Sequence, residues 1–411
     1  MHILEGTSPI EELNIDNQRV LVRADLDLDP SVDADELLTL KLQALLPTLK
    51  LAAEKEARVI IAGHRGTPSR RDSALSLERV GARLSELSGW EVFLPDDCLS
   101  DAAKRVIGDL RGGQVCLLEN LRFHRGEQTN DETFARALAA FCDVYVNEAF
   151  GSSHQRLASL SALPRLIPIR GSGLWLQQEA NALSRIVSPT ERPVLGVFGG
   201  SASSEHLDVL DLFLRHCDHV CVGGSLGWAL LAASGHDLGD TQIPAELLPR
   251  CRSLLHHNYE KLILPLDVRT ANRVDAVPGN TADVKQIPAG QHALDIGPDS
   301  ADRFAKMIAA AKTIVYTGSM SAPFASLPTA AQSVSTAESV GAGTLAVLQS
   351  LASAPGFSVI TGAQTVMAAL AAGPEVMANI NHISLGGDAT VAFIAGKRMP
   401  GIDALRGASN E

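Results

Sequence analysis

The hydrophobic positions of the chain follow two alternating patterns. Near the middle, apolar side chains recur every three or four residues, the period of an amphipathic helix, at Leu176, Ala180, Leu183, Ile186 and Val187. This pattern ends at Ser188-Pro189, because a residue before proline is disfavoured in the helical region. A short apolar run, Val194 to Phe198, follows and ends in Gly199-Gly200, as is typical of a buried parallel strand. Residues 173–188 are therefore predicted to form a helix that joins two halves of similar construction.

The first half alternates short apolar runs with longer amphipathic segments. Strands are predicted at residues 19–28, 58–63, 114–118 and 143–146. Helices are predicted at residues 36–55, with Pro47 as a kink or break, and at 77–87 and 131–141. This alternation indicates a parallel sheet with helices on both faces.

Polar side chains gather where these strands end. Asp25 and Asp27 stand at the end of the first strand, two residues apart and therefore on one face, and His64, Arg122 and His154 follow later strands. Because open α/β sheets bind ligands at the carboxyl ends of their strands, these side chains are predicted to converge on one edge.

The second half repeats the scheme with glycine after strand. Strands are predicted at residues 194–198, 219–222, 261–265, 313–316, 357–361 and 382–385. The glycines that follow them are Gly199, Gly200, Gly223, Gly224, Gly318, Gly386 and Gly387. Glycine lets backbone amides and a helix N-terminus approach an anion, although one such turn also serves an ordinary connection. Several on one sheet predict a nucleotide-sized site. An Ala/Ser/Pro-rich loop at 321–335 and the last few residues are predicted to be mobile.

Composition and charge narrow the function classes. The chain has 411 residues, 45% of them hydrophobic, which fits a globular protein of two or three domains. A net charge of −12 disfavours binding to nucleic acid or to an anionic membrane and favours a small-molecule partner. The longest apolar runs are too short to span a bilayer and the N-terminal segment carries acids, so we expect a cytoplasmic protein.

The cysteines and histidines do not predict a metal site. The 6 cysteines are scattered, and Cys116 and Cys221 fall in apolar strands, where a free thiol behaves as a small hydrophobe. The cluster HCDHVC at His216 to Cys221 contains zinc-type ligands, but its spacing matches no finger pattern.

Several segments, taken in order, resemble the phosphoglycerate kinase family. They include VLVRADLDLDP, ENLRFH, DVYVNEAFGSSH, SPTERPVLGVFGG, LILPLDVRTA and GKRMPGIDAL, and they cover almost the whole chain. The resemblance implies two doubly wound, Rossmann-like domains joined by a hinge helix. It places the substrate-side domain at 1–172, completed by about 400–411, the hinge at 173–188 and the nucleotide-side domain at 189–399. It also implies a monomer that transfers a phosphoryl group between 1,3-bisphosphoglycerate and ADP, with Mg-ATP or Mg-ADP bound.

On the substrate side, the resemblance is partial. Asp25, His64 and Arg122 match the family, which predicts that they bind an anionic substrate. The departures are Asp27 for an asparagine, and Lys41, Thr67 and Gln155 for arginines. Lys41 and the neighbouring Arg156 are candidate replacements, and Asp27 and Arg156 complete the predicted substrate-binding set. The added carboxylate of Asp27 weakens the attraction for an anion.

On the nucleotide side, the departures are larger. The family's turn GGAKVxDK reads GGSASSEH here, with Ala202 and His206 in place of the lysines. The family's GGGDT reads TGAQT, with Gln364 in place of an aspartate, and glutamine does not replace the anionic ligand that Mg²⁺ prefers. The seven glycines above are therefore interpreted as a vestigial nucleotide site.

Three hypotheses follow. Phosphoryl transfer depends on positioning and on cations around the transferred group, and one such contact is worth about 3 to 4 kcal/mol. We therefore expect a small phosphorylated or carboxylated metabolite to bind in an interdomain cleft, with ordinary phosphotransfer impaired or redirected. In that hypothesis Lys41 and His206 are the candidate catalytic residues, although His206 is more simply a surface helix residue. The alternatives are an authentic, divergent phosphoglycerate kinase and a non-catalytic relative that binds a metabolite or a protein.

Overall fold

The structure is a computed structural model that describes residues 3–28, 35–322 and 340–407. By compactness the chain divides into two units, one formed by Met1–Asn181 with Asp388–Glu411 and the other by Ala182–Gly387. Both are α/β units with a parallel sheet, as predicted. The mobile loop and tail predicted at 321–335 and at the C-terminus lie largely outside the described residues.

The first unit contains a parallel sheet of seven strands in the order β1-β7-β6-β2-β3-β5-β4. The strands are β1 Ser8–Pro9, β2 Arg19–Arg23, β3 Arg58–Ala62, β4 Val92–Phe93, β5 Val115–Leu117, β6 Val144–Asn147 and β7 Ile169–Ser172. The helices before residue 170 are α1 Asp35–Glu54, α2 Glu78–Ser88, α3 Asp101–Asp109, α4 Arg125–Gln128, α5 Glu132–Ala139 and α6 Leu163–Leu166. Helix α1 runs through Pro47 without a break.

Helix α7, Leu174–Val187, lies where the central helix was predicted. Of its five predicted apolar positions, Leu176, Ala180, Leu183 and Ile186 are buried and Val187 is half-buried, which confirms the amphipathic pattern. The boundary between the two compact units falls inside this helix, after Asn181.

The second unit contains a parallel sheet of six strands in the order β10-β9-β8-β14-β15-β16. Its strands are β8 Val194–Phe198, β9 His219–Val222, β10 Leu262–Ile263, β14 Thr313–Thr317, β15 Phe357–Thr361 and β16 His382–Ser384. Its helices are α8 Ser204–His216, α9 Gly224–Ala233, α10 Leu248–Asn258, α11 Pro298–Ala310, α12 Ala342–Ala352, α13 Ala363–Ala372 and α14 Pro374–Asn379. The six predicted strands are all present in this sheet.

A small antiparallel sheet, which the sequence pattern did not predict, also belongs to the second unit. Its strands are β11 Asp267–Ala271, β12 Asn280–Asp283 and β13 His292–Ile296, in the order β12-β11-β13. Strand β12 consists of Asn, Thr, Ala and Asp, so no alternation of apolar residues marks it.

The chain returns to the first unit at Asp388, earlier than the expected position near residue 400. Helices α15 Asp388–Ile394 and α16 Pro400–Asp403 follow. The Asn147 side-chain amide donates to the Gly401 carbonyl oxygen at 3.0 Å, and the Gly401 N–H donates to the Ser153 carbonyl oxygen at 2.9 Å. These bonds join the last helix to the end of β6. Within the described residues, no helix combines the length and the apolar character needed to cross a bilayer.

Candidate functional site

The carboxyl ends of four adjacent strands in the first unit carry the predicted polar residues. These strands lie in the order β6-β2-β3-β5. From β2 the chain adds β3 and β5 on one side of the sheet and later adds β6 on the other side, so the order of strand addition reverses between β2 and β6. Ligands of doubly wound sheets bind at such a point. Strand β2 ends at Arg23, so Asp25 and Asp27 lie in the loop after the strand and not within it. This looser placement lets each carboxylate take separate partners.

Asp25 pairs with Lys41, one of the candidate catalytic residues. The Lys41 Nζ lies 3.1 Å from Asp25 Oδ2 and 2.5 Å from the backbone oxygen of Asp27. Both side chains are nearly buried, with exposed fractions of 10% for Lys41 and 14% for Asp25. Lys41 therefore fixes the loop that carries both aspartates.

Asp27 is surrounded by hydrogen-bond donors. Its Oδ1 accepts from the Gly66 N–H at 2.7 Å, and its Oδ2 lies 3.4 Å from His64 Nε2 and 3.6 Å from Arg122 Nη1. Burial raises the pKa of the Asp27 carboxyl, but His64, the Gly66 amide and Arg122 outweigh burial and lower the pKa to about 2. Asp27 is therefore ionised at neutral pH.

Arg122 is held in this cluster by two further bonds. Its Nη1 donates to the Gly66 carbonyl oxygen at 2.6 Å, and its Nη2 donates to Gln155 Oε1 at 2.7 Å. Gln155, which the sequence resemblance matches to an arginine, thus orients Arg122. Arg156, the predicted substitute, is exposed at the next position.

Arg23 belongs to the site but was missed by sequence analysis. It is fully buried, its Nη2 lies 2.6 Å from His64 Nδ1, its Nε donates to Ser159 Oγ at 2.7 Å, and its Nη2 lies 3.6 Å from Glu127 Oε1. The available signal was an arginine inside the apolar strand RVLVR, because a buried charge requires a partner.

In the second unit, the glycine turns pack tightly on one another. Five of the seven predicted glycines, Gly199, Gly200, Gly223, Gly224 and Gly318, donate their N–H groups to oxygen atoms inside the unit, at 2.7 to 2.9 Å. A Cβ at Gly199 would lie 2.1 Å from the Ser319 carbonyl oxygen, and one at Gly318 would lie 2.4 Å from the Gly199 oxygen. These glycines therefore have a packing role, and their assignment to a nucleotide stays a prediction. The Gly386 N–H lies 3.5 Å from Ser384 Oγ, and Gly387 has a φ of 53°.

His206 is half-buried at the start of α8. Its Nδ1 lies 2.8 Å from Ser203 Oγ, which also accepts the His206 backbone N–H at 3.2 Å, and its ring meets Phe198 edge-on at 6.4 Å between centroids. Burial lowers the pKa of His206, so the imidazole is neutral at neutral pH. It is neither a free surface side chain nor a positive charge in this turn.

At the described start of α13, the donor present does not fit the Mg²⁺ ion that the family resemblance implies. Gln364 is exposed in the first turn of α13 and offers only an amide oxygen, whereas Mg²⁺ is usually bound through carboxylates and phosphates. Asp388, the first residue of α15, groups with the first unit by compactness. We therefore derive no step that passes through the metal.

Among the residues that the structure describes, one group of side chains brings metal-binding residue types together. Ligand atoms of Asp97, Cys98 and His124 lie within 4.8 Å of one another. His124 Nε2 lies 2.9 Å from Asp97 Oδ2, Arg71 approaches the same oxygen at 3.7 Å, and burial raises the pKa of the Cys98 thiol, which keeps it protonated. The contact between His124 and Asp97 and the approach of Arg71 account for this arrangement without a cation. The sequence cluster at 216–221 is not part of it.

Comparison with known proteins places this geometry in a family. The family model described as phosphoglycerate kinase matches residues 10–397. A phosphoglycerate kinase of Anaeromyxobacter sp. (strain Fw109-5) is 35% identical over 407 residues, covering 97% of this chain and 99% of that protein. One of Pelotomaculum thermopropionicum is 36% identical over 407 residues, covering 96% and 98%.

Solved structures of phosphoglycerate kinases are similar to this chain in fold. A phosphoglycerate kinase from Coxiella burnetii has a TM-score of 0.81 at 28% identity, and one from Pyrococcus horikoshii has a TM-score of 0.80 at 26% identity. Both cover 97% of this chain and 98% of their own. The match thus extends over both units, including the positions of Asp25, His64 and Arg122 and the glycine turns, and this chain belongs to the phosphoglycerate kinase family.

Proposed function

We propose that this chain is a divergent phosphoglycerate kinase. Its first unit binds 3-phosphoglycerate or a close phosphorylated carboxylic acid at Asp25, Lys41, His64 and Arg122, and its second unit holds a nucleotide. The phosphoryl group passes from the acyl phosphate of 1,3-bisphosphoglycerate to the terminal phosphate of ADP, so that one P–O bond breaks and one forms. The supporting observation is the similarity to proteins named phosphoglycerate kinase along 96–97% of the chain.

The relatives favour this alternative over the expectation of an impaired or redirected enzyme, because nothing in the comparisons indicates a loss of activity. The geometry of the first unit supports the binding of an anionic substrate. Lys41 and Arg122 provide cations on one sheet edge, and His64 provides a neutral donor. Arg23 orients His64 through the contact with Nδ1. Lys41 is proposed to contact the substrate and Arg156 to add charge at the rim.

A second candidate is a relative that binds the anion without transferring a phosphoryl group. The specific observation is the turn at 199–206, where Ala202 carries no charge and His206 is neutral and bonded to Ser203. Without cations there, a triphosphate has little electrostatic stabilisation.

A coupled assay with 1,3-bisphosphoglycerate and Mg-ADP tests the proposal, together with calorimetric titration of 3-phosphoglycerate, Mg-ADP and Mg-ATP. Turnover that depends on both substrates supports the kinase. Binding of 3-phosphoglycerate without nucleotide binding would replace it by the second candidate, and binding of neither would assign the site to a different ligand.

We further propose that the protein acts in the cytoplasm as a monomer on small molecules and not on nucleic acid. The net charge of −12 supports the exclusion of nucleic acid, since a negative protein repels polyanions.

A further inference from the structure

The Asp27 carboxylate lies where an anionic ligand would find its donors. It accepts the Gly66 N–H at 2.7 Å and lies 3.4 Å from His64 Nε2 and 3.6 Å from Arg122 Nη1. Its side chain is 32% exposed, so a ligand arriving from solvent meets it directly. A carboxylate of the chain itself thus faces an amide, an imidazole and a guanidinium.

The orientation of His64 makes it a donor toward Asp27. Arg23 Nη2 lies 2.6 Å from His64 Nδ1, and an arginine is always protonated and can only donate. Nδ1 must therefore accept. Burial lowers the pKa of His64, and the positive charges of Arg23 and Arg122 add to that effect, so the ring is neutral with its one proton on Nε2. This proton faces Asp27.

The four charged side chains that face the site sum to no net charge. Arg122 and Lys41 are positive, and Asp25 and Asp27 are negative. Arg23 is balanced by Glu127 at 3.6 Å. A phosphate or carboxylate oxygen placed between His64 and Arg122 would therefore lie beside a like charge, which weakens binding.

We propose that Asp27 is a specificity-determining residue: its carboxylate accepts the Gly66 N–H and lies against His64 Nε2 and Arg122 Nη1, so an anionic substrate reaches these three groups only by displacing it. This inference rests on the substrate site of the proposed function. We therefore expect the wild-type chain to bind doubly charged phosphates weakly. It should prefer ligands that present a hydroxyl or another neutral donor to Asp27.

The test is calorimetric titration of inorganic phosphate and of 3-phosphoglycerate into wild type, Asp27→Asn and Asp101→Asn. Asparagine keeps the size and the acceptor for the Gly66 N–H but removes the charge. Asp101 is exposed and pairs with Lys104 at 2.8 Å on α3, so its replacement removes the same charge away from the site. We expect Asp27→Asn to bind both anions at least about 10-fold more tightly than wild type, because one adjacent like charge is gone. The Asp101 variant should stay within about 2-fold, since an exposed charge is screened by solvent.

Equal or weaker anion binding by Asp27→Asn would overturn the inference. Asp27→Ala serves as a second variant if the first fails to fold, as judged by circular dichroism. Loss of folding in both would also overturn the inference, because Asp27 would then be a structural residue.

The two proposals fail separately. If Asp27→Asn gains affinity for inorganic phosphate while neither protein binds 3-phosphoglycerate, the proposed function fails and the inference stands. If wild type binds 3-phosphoglycerate and the variant binds it no more tightly, the inference fails and the proposed function stands.

Discussion

The carboxylate of Glu148 accepts a hydrogen bond from the backbone N–H of Leu176, 2.8 Å long, at the first turn of α7. The Trp175 N–H donates to the same side chain at 3.2 Å, and the Thr48 hydroxyl also donates to it. Thr48 in turn accepts the Leu174 N–H at 2.9 Å. Glu148 and Thr48 together satisfy the first amides of the helix that passes from one compact unit to the other, and they do so in a fully buried position.

Stability should depend on pH through Glu148. Burial raises the pKa of this carboxyl from 4.5 to about 7, against the opposing effect of Thr48 and the helix amides. Because the folded state holds the proton more tightly than the unfolded state, stability falls as pH rises from 4.5 to 7, by about 3 kcal/mol. Glu148→Gln removes this dependence. The free energy of unfolding of Glu148→Gln minus that of wild type should therefore increase from pH 5 to pH 8. Urea denaturation followed by tryptophan fluorescence measures both values.

The matched control is Glu132→Gln, which removes an exposed carboxylate of the same unit that pairs with Arg136. Its difference from wild type should stay small and vary little with pH. A Glu148→Gln difference that is constant from pH 5 to pH 8 would contradict the buried-carboxylate interpretation.

The buried ion pair below the site gives a second prediction. Glu127 and Arg23 are both completely buried, and Glu127 also accepts the Ser159 N–H at 2.9 Å and the Ser159 hydroxyl at 2.6 Å. Glu127→Gln leaves the arginine charge unpaired, which should destabilise the first unit by about 3 to 5 kcal/mol. Thermal and urea denaturation measure this loss. A loss no larger than that of Glu132→Gln would show that Arg23 is balanced by other groups.

Most of both parallel sheets could be predicted, because each long strand is an apolar run with β-branched residues. Val194–Phe198, His219–Val222 and Phe357–Thr361 begin and end where the sequence indicates. Strands such as Ser8–Pro9 and Val92–Phe93 were missed, since two residues carry no period.

The site was predictable in its location but not in its pairings. The position of Asp25, His64 and Arg122 after adjacent strands follows from the topology of a parallel sheet. The contact of Asp27 with Arg122 depends on the path of two loops and on rotamers, which no local pattern specifies. The bond of His206 to Ser203 is a helix-capping arrangement, recognisable from Ser203 preceding α8, but the burial of the ring against Phe198 is a tertiary effect.

Arg122 should be required for anion binding. Its guanidinium lies 3.6 Å from the Asp27 carboxylate and is oriented by hydrogen bonds to Gly66 and Gln155. Arg122→Ala removes the positive charge at the sheet edge, so we expect the affinity for 3-phosphoglycerate to fall at least about 100-fold, as for loss of a buried charged partner. Calorimetry measures the change. Arg122→Lys keeps the charge but not the planar fork and should recover only part of the affinity.

The control is Arg136→Ala, which removes an exposed arginine on α5 that pairs with Glu132. Its affinity for 3-phosphoglycerate should equal that of wild type. If Arg122→Ala binds as well as Arg136→Ala, the substrate site lies elsewhere in the chain.

The first turn of α8 carries a neutral histidine, His206, close to the predicted nucleotide site. His206 is neutral because burial lowers its pKa. His206→Lys adds a positive charge at the helix start, where the resemblance implies a lysine, while the backbone N–H still bonds to Ser203. We expect the affinity for Mg-ADP to rise about 10-fold, the size of one charge-assisted contact. Gln349→Lys adds the same charge to an exposed position of α12 and should leave the affinity unchanged. Equal affinities of the two variants in calorimetric titration would mean that no nucleotide phosphate approaches this turn, and the glycines around it would then serve packing alone.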